Sequence, residues 1–212
     1  MSIDPKLLTL TQWLSPAYPT GAFAFSHGIE QAIQDGWISD AAELEAWLLN
    51  CATFGSLRTD AIWLRLAHDA GDVSTIDDEA RAYAACQERV LEAERQGIAF
   101  VRTTNAVWDL DLPDLLLPIA VGHAVRRANL DPDTATLLFL QASVSNLVSA
   151  AMRLMPMGQA AAQGIIAALQ PICNATAAEA AKATPDDIHS NTFLSDIAAM
   201  RHEILQPRLF QT

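Results

Sequence analysis

Apolar residues recur along most of the chain at three- and four-residue steps, the period of an α-helix that buries one face. Leu7, Leu10 and Leu14 mark a first helix that must end before Pro16. Phe25, Ile29, Ala32 and Ile33 resume the period up to Gly36. Leu44, Trp47, Leu48 and Cys51 form the next face, entered through Asp40 and Glu43 as a capping-box pair. Tyr83, Val90, Leu91, Ile98 and Val101 suit one long helix from Ser74 to Trp108, with an interruption expected at Gly97. Another helix covers Leu115 to Ala128. Asp131–Pro132 opens one that carries Leu137, Leu140, Val144, Leu147, Val148 and Met152 on one side and stops at Pro156. A small-residue helix follows from Gly158, with a break expected at Pro171 and a new start at Thr184–Asp187. Strand-like alternation and hairpin turns are absent. The pattern predicts an all-α fold, a single-domain bundle of roughly ten helices. The helical domain is expected over 1–185, followed by a C-terminal interaction tail over 186–212 that is mobile when unbound.

Composition narrows the function classes. Twenty-five acidic residues against 13 Lys and Arg give a net charge of −12, which disfavours nucleic acid and anionic membrane surfaces. Hydrophobic residues reach 51% and charged residues only 18%, so a partner or a second copy is expected to cover some apolar surface. Cys51, Cys86 and Cys173 are odd in number and lack CxxC spacing. They read as small buried hydrophobes in a reducing compartment. No window approaches 18 uninterrupted apolar residues and no signal-peptide pattern opens the chain, so a cytoplasmic location is expected.

Phosphate cradles, HExxH and GxSxG are all missing. No catalytic residue, resident metal or cofactor is therefore expected, and the chain reads as an interaction protein rather than an enzyme. Three segments stand out. In "SPAYPTGAFAFSHGIEQ", Pro16, Pro19 and Gly21 suit a fixed turn between helices, with Phe23 and Phe25 anchoring it in the core. Ser26, His27 and Glu30 follow. The last two fall three apart on an expected helix and share a face, His27 bonding the preceding turn and Glu30 solvated. In "RLMPMGQAAAQ", Arg153, Gln159 and Gln163 suit either a polar contact face or a simple kink. In the tail, Arg201, His202, Glu203 and Arg208 crowd beside Leu205, Leu209 and Phe210, a mixture of arginines and apolar anchors typical of binding segments. His68 and His123 read as structural, and His189 as exposed. Two other classes stay open from the residues alone. One is a helical metal-dependent hydrolase using His27, Glu30 and His202; the other is an acidic metallochaperone that stores nickel.

"LSPAYPTGAFAFSHGIEQAIQDGWI", "RLMPMGQAAAQ" and "SDIAAMRHEILQPRLFQT" together resemble the urease accessory protein F (UreF) family over essentially the whole chain. Pro16, Gly21, Ser26, His27, Gly28 and Glu30 match its first motif, and Arg153, Pro156, Gly158, Gln159 and Gln163 its second. Ile197, Met200, Arg201, His202, Glu203, Arg208, Leu209 and Phe210 match the terminal one. Phe25 stands where the family commonly has tyrosine, Met157 where it has leucine, and the chain ends Gln211–Thr212 rather than on serine. The resemblance implies an all-α homodimer that scaffolds a complex with accessory protein UreH (also called UreD) and the GTPase UreG. That complex delivers nickel to apo-urease and governs the nucleotide cycle of the GTPase. Arg153, Gln159, Gln163, Arg201, His202, Glu203, Arg208, Leu209 and Phe210 are then expected to bind partners. Ser26, His27 and Glu30 are expected to line an interface or a nickel path.

Overall fold

The computed structural model describes residues 4–212, and all the regular elements among them are helical. The fold is all-α. Helix α1 (Pro5–Trp13) starts where Asp4 accepts the Lys6 amide and Pro5 occupies a position that needs no N–H donor. It buries Leu10 and Trp13 and leaves Leu7 exposed. The Pro/Gly segment then turns the chain. Gly21 takes φ 75° and leads into a short 3₁₀ turn, Ala22–Ala24. Tyr18 anchors this elbow, its hydroxyl 2.8 Å from Thr104 Oγ1. Phe25 is buried as expected, but Phe23 is 67% exposed because the 3₁₀ turn points it outward.

Helix α2 (Ile29–Gln34) begins at Ile29, whereas the periodicity resumes at Phe25. His27 and Gly28 both adopt positive φ, so His27 lies outside the helix and does not share a helical face with Glu30. At Gly28 a Cβ would come within 2.9 Å of the Ala199 backbone nitrogen, so the glycine serves both the turn and a close chain approach. Helices α3 (Ala41–Phe54) and α4 (Ser56–Asp69) follow. Asp40 caps α3 through the Glu43 amide, while the Glu43 carboxylate turns back to Ser39 rather than to Asp40.

The expected long helix is two: α5 (Val73–Tyr83) and α6 (Gln87–Trp108). The break falls at Ala84–Cys86. Gly97 does not interrupt α6; it lets the segment before α7 lie against it, since a Cβ there would sit 2.0 Å from the Leu115 carbonyl oxygen. Helix α7 (Leu117–Arg127) packs on α4 in the same way, with Gly122 against the Leu64 carbonyl. Asp131 caps α8 (Pro132–Leu154), which stops at Met155 as the sequence predicts. Half of its most apolar window is buried in the bundle, although its length and composition alone would suit a membrane span.

Helix α9 (Gln159–Ala180) runs through Pro171 without ending, contrary to the expected break. Thr184 and Asp187 cap each other around a 3₁₀ turn, Pro185–Asp187, that does not lengthen into a helix. The chain resumes as α10 (Phe193–His202). The core joins Leu44 and Leu48 of α3, Ile62 and Leu64 of α4, Phe100 of α6, Ile119 of α7 and Leu140 of α8. Arg58, itself buried, ties α4 to Glu179 of α9 and to the Asp187 carbonyl.

Candidate functional site

The elbow, the start of α2, the first half of α6 and the tail converge on one buried polar cluster. Glu30, in the first turn of α2, is buried rather than solvated. Its Oε1 accepts the Leu209 amide at 2.6 Å, and its Oε2 accepts the Phe210 amide at 2.9 Å. His202, the last residue of α10, is fully buried between two carboxylates. Its Nε2 lies 3.1 Å from Glu30 Oε2 and its Nδ1 lies 2.8 Å from Glu88 Oε2. Both ring nitrogens donate when the ring is an imidazolium, and in that form Glu30, Glu88, His202 and Arg208 sum to zero charge. Arg208 completes the group by donating to Glu88 Oε1 at 2.5 Å.

The remainder of the tail is held through backbone groups. The Ser26 amide and hydroxyl both donate to the Thr212 carbonyl, at 2.7 and 2.6 Å. The Gln211 amide donates to the Ala24 carbonyl, and the Thr212 hydroxyl donates to Glu92 Oε2. Arg153, at the end of α8, donates to the Phe23 carbonyl at 2.7 Å. Its guanidinium stacks between the Phe23 ring at 4.0 Å and the Phe210 ring at 4.3 Å, so it clamps the tail to the elbow.

His27 belongs to an adjoining cluster. Its Nε2 lies 2.7 Å from Ser56 Oγ and its Nδ1 meets Arg89, which also donates to Glu92. Burial raises the Glu92 pKa, but the charges of Arg89 and His27 and the hydrogen bonds from His27 and Thr212 outweigh it and bring the carboxyl down to about 2. Burial pushes the Asp60 and Asp196 carboxyls up, with Arg89 and His27 opposing. A cavity of about 390 Å³ lies under the elbow and is lined by His27, Asp60, Arg89 and Glu92. Among the described residues, no group of three His, Cys, Asp or Glu side chains is arranged to hold a metal ion.

The structure therefore brings Ser26, Glu30, Arg153, His202, Arg208, Leu209 and Phe210 together, with Pro16, Pro19 and Gly21 shaping the elbow beside them. Gln159 and Gln163 are exposed at the start of α9. Arg201 is exposed and reaches Asp35 at 2.9 Å, over the Trp37 ring. Glu203 accepts the Glu88 amide at the start of α6. Glu88, Arg89 and Glu92 are the members that periodicity does not reveal. They lie in the charged run "QERVLEAERQ", which reads as a solvent face. Their signal is the four-residue spacing of Glu88, Glu92 and Gln96 in line with buried Phe100.

Above this cluster α10 is inverted. Ser195, Ala198, Ala199 and His202 face the body, while Phe193, Leu194, Ile197 and Met200 face outward, continued by Ile204 beyond the helix. Ile204 is 84% exposed. A helix with small and polar residues inside and apolar residues outside presents a surface that association would cover. These features define an all-helical protein with a buttressed terminal segment and an outward apolar helix face.

Comparison with known proteins gives the particular family. The UreF family model matches residues 38–170. The urease accessory protein UreF of Cereibacter sphaeroides is 46% identical over 210 residues, covering 99% of this chain and all of the relative. Those of Roseobacter denitrificans and Ruegeria pomeroyi are 43% and 41% identical, covering 100% and 99% of this chain and 96% and 98% of the relatives. The chain belongs to the UreF family, whose members carry the name of accessory proteins and not of enzymes.

Proposed function

We propose that this chain is a urease maturation factor that acts as a scaffold in the cytoplasm. In this reading it works as a homodimer, binds accessory protein UreH (UreD), and presents a composite surface to the GTPase UreG. The assembly governs the GTPase cycle and delivers nickel to apo-urease as cargo. The full-length likeness to proteins named urease accessory protein UreF supports the pathway. The observation that carries the scaffold role is α10, whose outward apolar face is fixed in place by the buried cluster of Glu30, Glu88, His202 and Arg208.

Ser26, Glu30 and His27, all buried, are assigned here to holding the tail and elbow that form the interface and not to a ligand set. The oxygens of Glu30 are engaged by the tail, and both ring nitrogens of His27 already face Ser56 and Arg89. If His27→Ala left both complex assembly and urease activation at the wild-type level, His27 would have no part in the interface.

Co-purification with UreH (UreD) and UreG tests the scaffold reading, comparing the full chain with one truncated before Ser190, with mass read by light scattering. The full chain should elute in a complex and the truncated chain alone. Equal complex formation by both would remove the tail from the contact.

A further inference from the structure

The tail is fastened to the body through one titratable ring. His202 is 0% exposed, and its two nitrogens meet carboxylates on two different helices, Glu30 of α2 and Glu88 of α6. The oxygens of both acids are already accepting. Glu30 Oε1 takes the Leu209 amide, Glu30 Oε2 takes the Phe210 amide as well as the ring, and Glu88 Oε1 takes Arg208. The ring is therefore the donor on both sides. A neutral imidazole has one N–H and one lone pair. Either tautomer would aim that lone pair at a carboxylate oxygen and leave Glu30, Glu88 and Arg208 with one uncompensated negative charge out of water.

We infer that His202 is a proton-operated latch: the tail docks with the ring as an imidazolium, takes up a proton from solvent as it docks, and is released as pH rises. Released, the ring stands in water, where an imidazole is half-protonated near about pH 6.5. Below that value both states hold the proton and pH has no leverage. Above it the released state gives the proton up and the docked state keeps it, so each further unit costs docking up to about tenfold. The other charged groups around α10 are committed elsewhere. Glu203 accepts the Glu88 amide, Arg201 pairs with Asp35 at the end of α2, Asp196 turns to Ser190, and Arg89 pairs with Glu92. Burial pushes the Cys51 thiol beside Ser195 up to about 11 and raises Cys86 at the start of α6. His27, the other buried imidazole, meets Ser56, Arg89 and Glu92 and bonds to no tail residue. Since α10 ends in the latch, its outward apolar face is held in place while the latch is closed; that consequence rests on the reading of α10 as the partner contact.

Two measurements on the full chain test the latch. Nitrogen-15 NMR of the histidine rings should show a proton on both nitrogens of His202 at about pH 8, well above the midpoint of a free imidazole. Hydrogen exchange then reads the docking itself through the Leu209 and Phe210 amides that Glu30 accepts. Their protection, corrected for the intrinsic rate at each pH, should fall between about pH 6.5 and 8.5, approaching tenfold per unit, while the Leu48 amide in α3 keeps its own. His202→Gln should lower the tail protection and make it flat with pH. A neutral His202 ring at about pH 8, tail protection that does not change with pH, or a wild-type slope in His202→Gln would overturn the inference. Should His202→Gln fail to fold, the two wild-type measurements decide alone. Neither needs a partner protein, so the latch and the scaffold reading stand or fall separately.

Discussion

Glu30 accepts two backbone amides and one imidazole in a buried site. Glu30→Gln keeps the shape but removes the charge that His202 and the tail amides share. Loss of one member of a buried ionic group typically costs about 3–5 kcal/mol. Urea denaturation should show that loss as an earlier midpoint, and an unchanged midpoint would mean that the tail is held by packing alone. Glu92 gives a pH dependence with a definite sign. Its folded-state pKa, about 2, lies below the usual carboxylate value, so its contribution is present above that usual value and is lost as pH falls toward 2. The size is about 3 kcal/mol, from the shift and the energy per pKa unit. Acid titration of Glu92→Gln should therefore lose less stability between about pH 5 and 2 than wild type; parallel curves would contradict the assignment. Two glycines make an opposed pair. Gly97→Ala forces a Cβ onto the Leu115 carbonyl and should cost about 3 kcal/mol, whereas exposed Gly164 in α9 has open space and Gly164→Ala should gain about 0.5–1 kcal/mol. Thermal melts that moved both variants in the same direction would refute the packing argument.

Helices with distinct caps and an apolar stripe were the legible ones. Asp40 and Asp131 start helices as read, and Pro156 ends one. The misread elements share a cause: local signals overridden by contacts distant in sequence. Gly97 resembles a breaker, yet its lack of a side chain serves the chain packed across it. Ala84–Cys86 contains no breaker at all, and the chain breaks there while the Glu88 amide is met by Glu203 of the tail. Pro171 sits on the exposed side of α9, where the helix absorbs it. That position yields a prediction at the scale of the element. Pro171→Ala restores a helical N–H and relieves the ring clash with the preceding turn, so α9 and the whole fold should gain about 1–3 kcal/mol. A lower melting temperature in this variant would show that the proline is needed where it stands. The tail's distinct composition, arginines beside apolar residues, was legible. Its buttress was not, because Glu88, Arg89 and Glu92 occupy the buried face of α6 in a run that looks solvated. Ile98, read as core, is 40% exposed instead.

Across the whole molecule, the bundle supplies a rigid body of net charge −12 on which one apolar strip is held facing outward. Two polar residues of α10 turn inward, His202 to Glu30 of α2 and Glu88 of α6 and Ser195 to Cys51 of α3. This is the arrangement expected if the helix is meant to be covered by another protein. Truncating the tail also uncovers Glu30, Glu88 and part of the body, so a surface change separates contact from folding. The decisive measurement is co-purification with UreH (UreD) and UreG of a chain carrying Ile197→Asp and Ile204→Asp. Both side chains are exposed, at 42% and 84%, so the circular dichroism melt should match wild type. The account predicts that this folded chain elutes without its partners. A complex of wild-type mass and composition would contradict it.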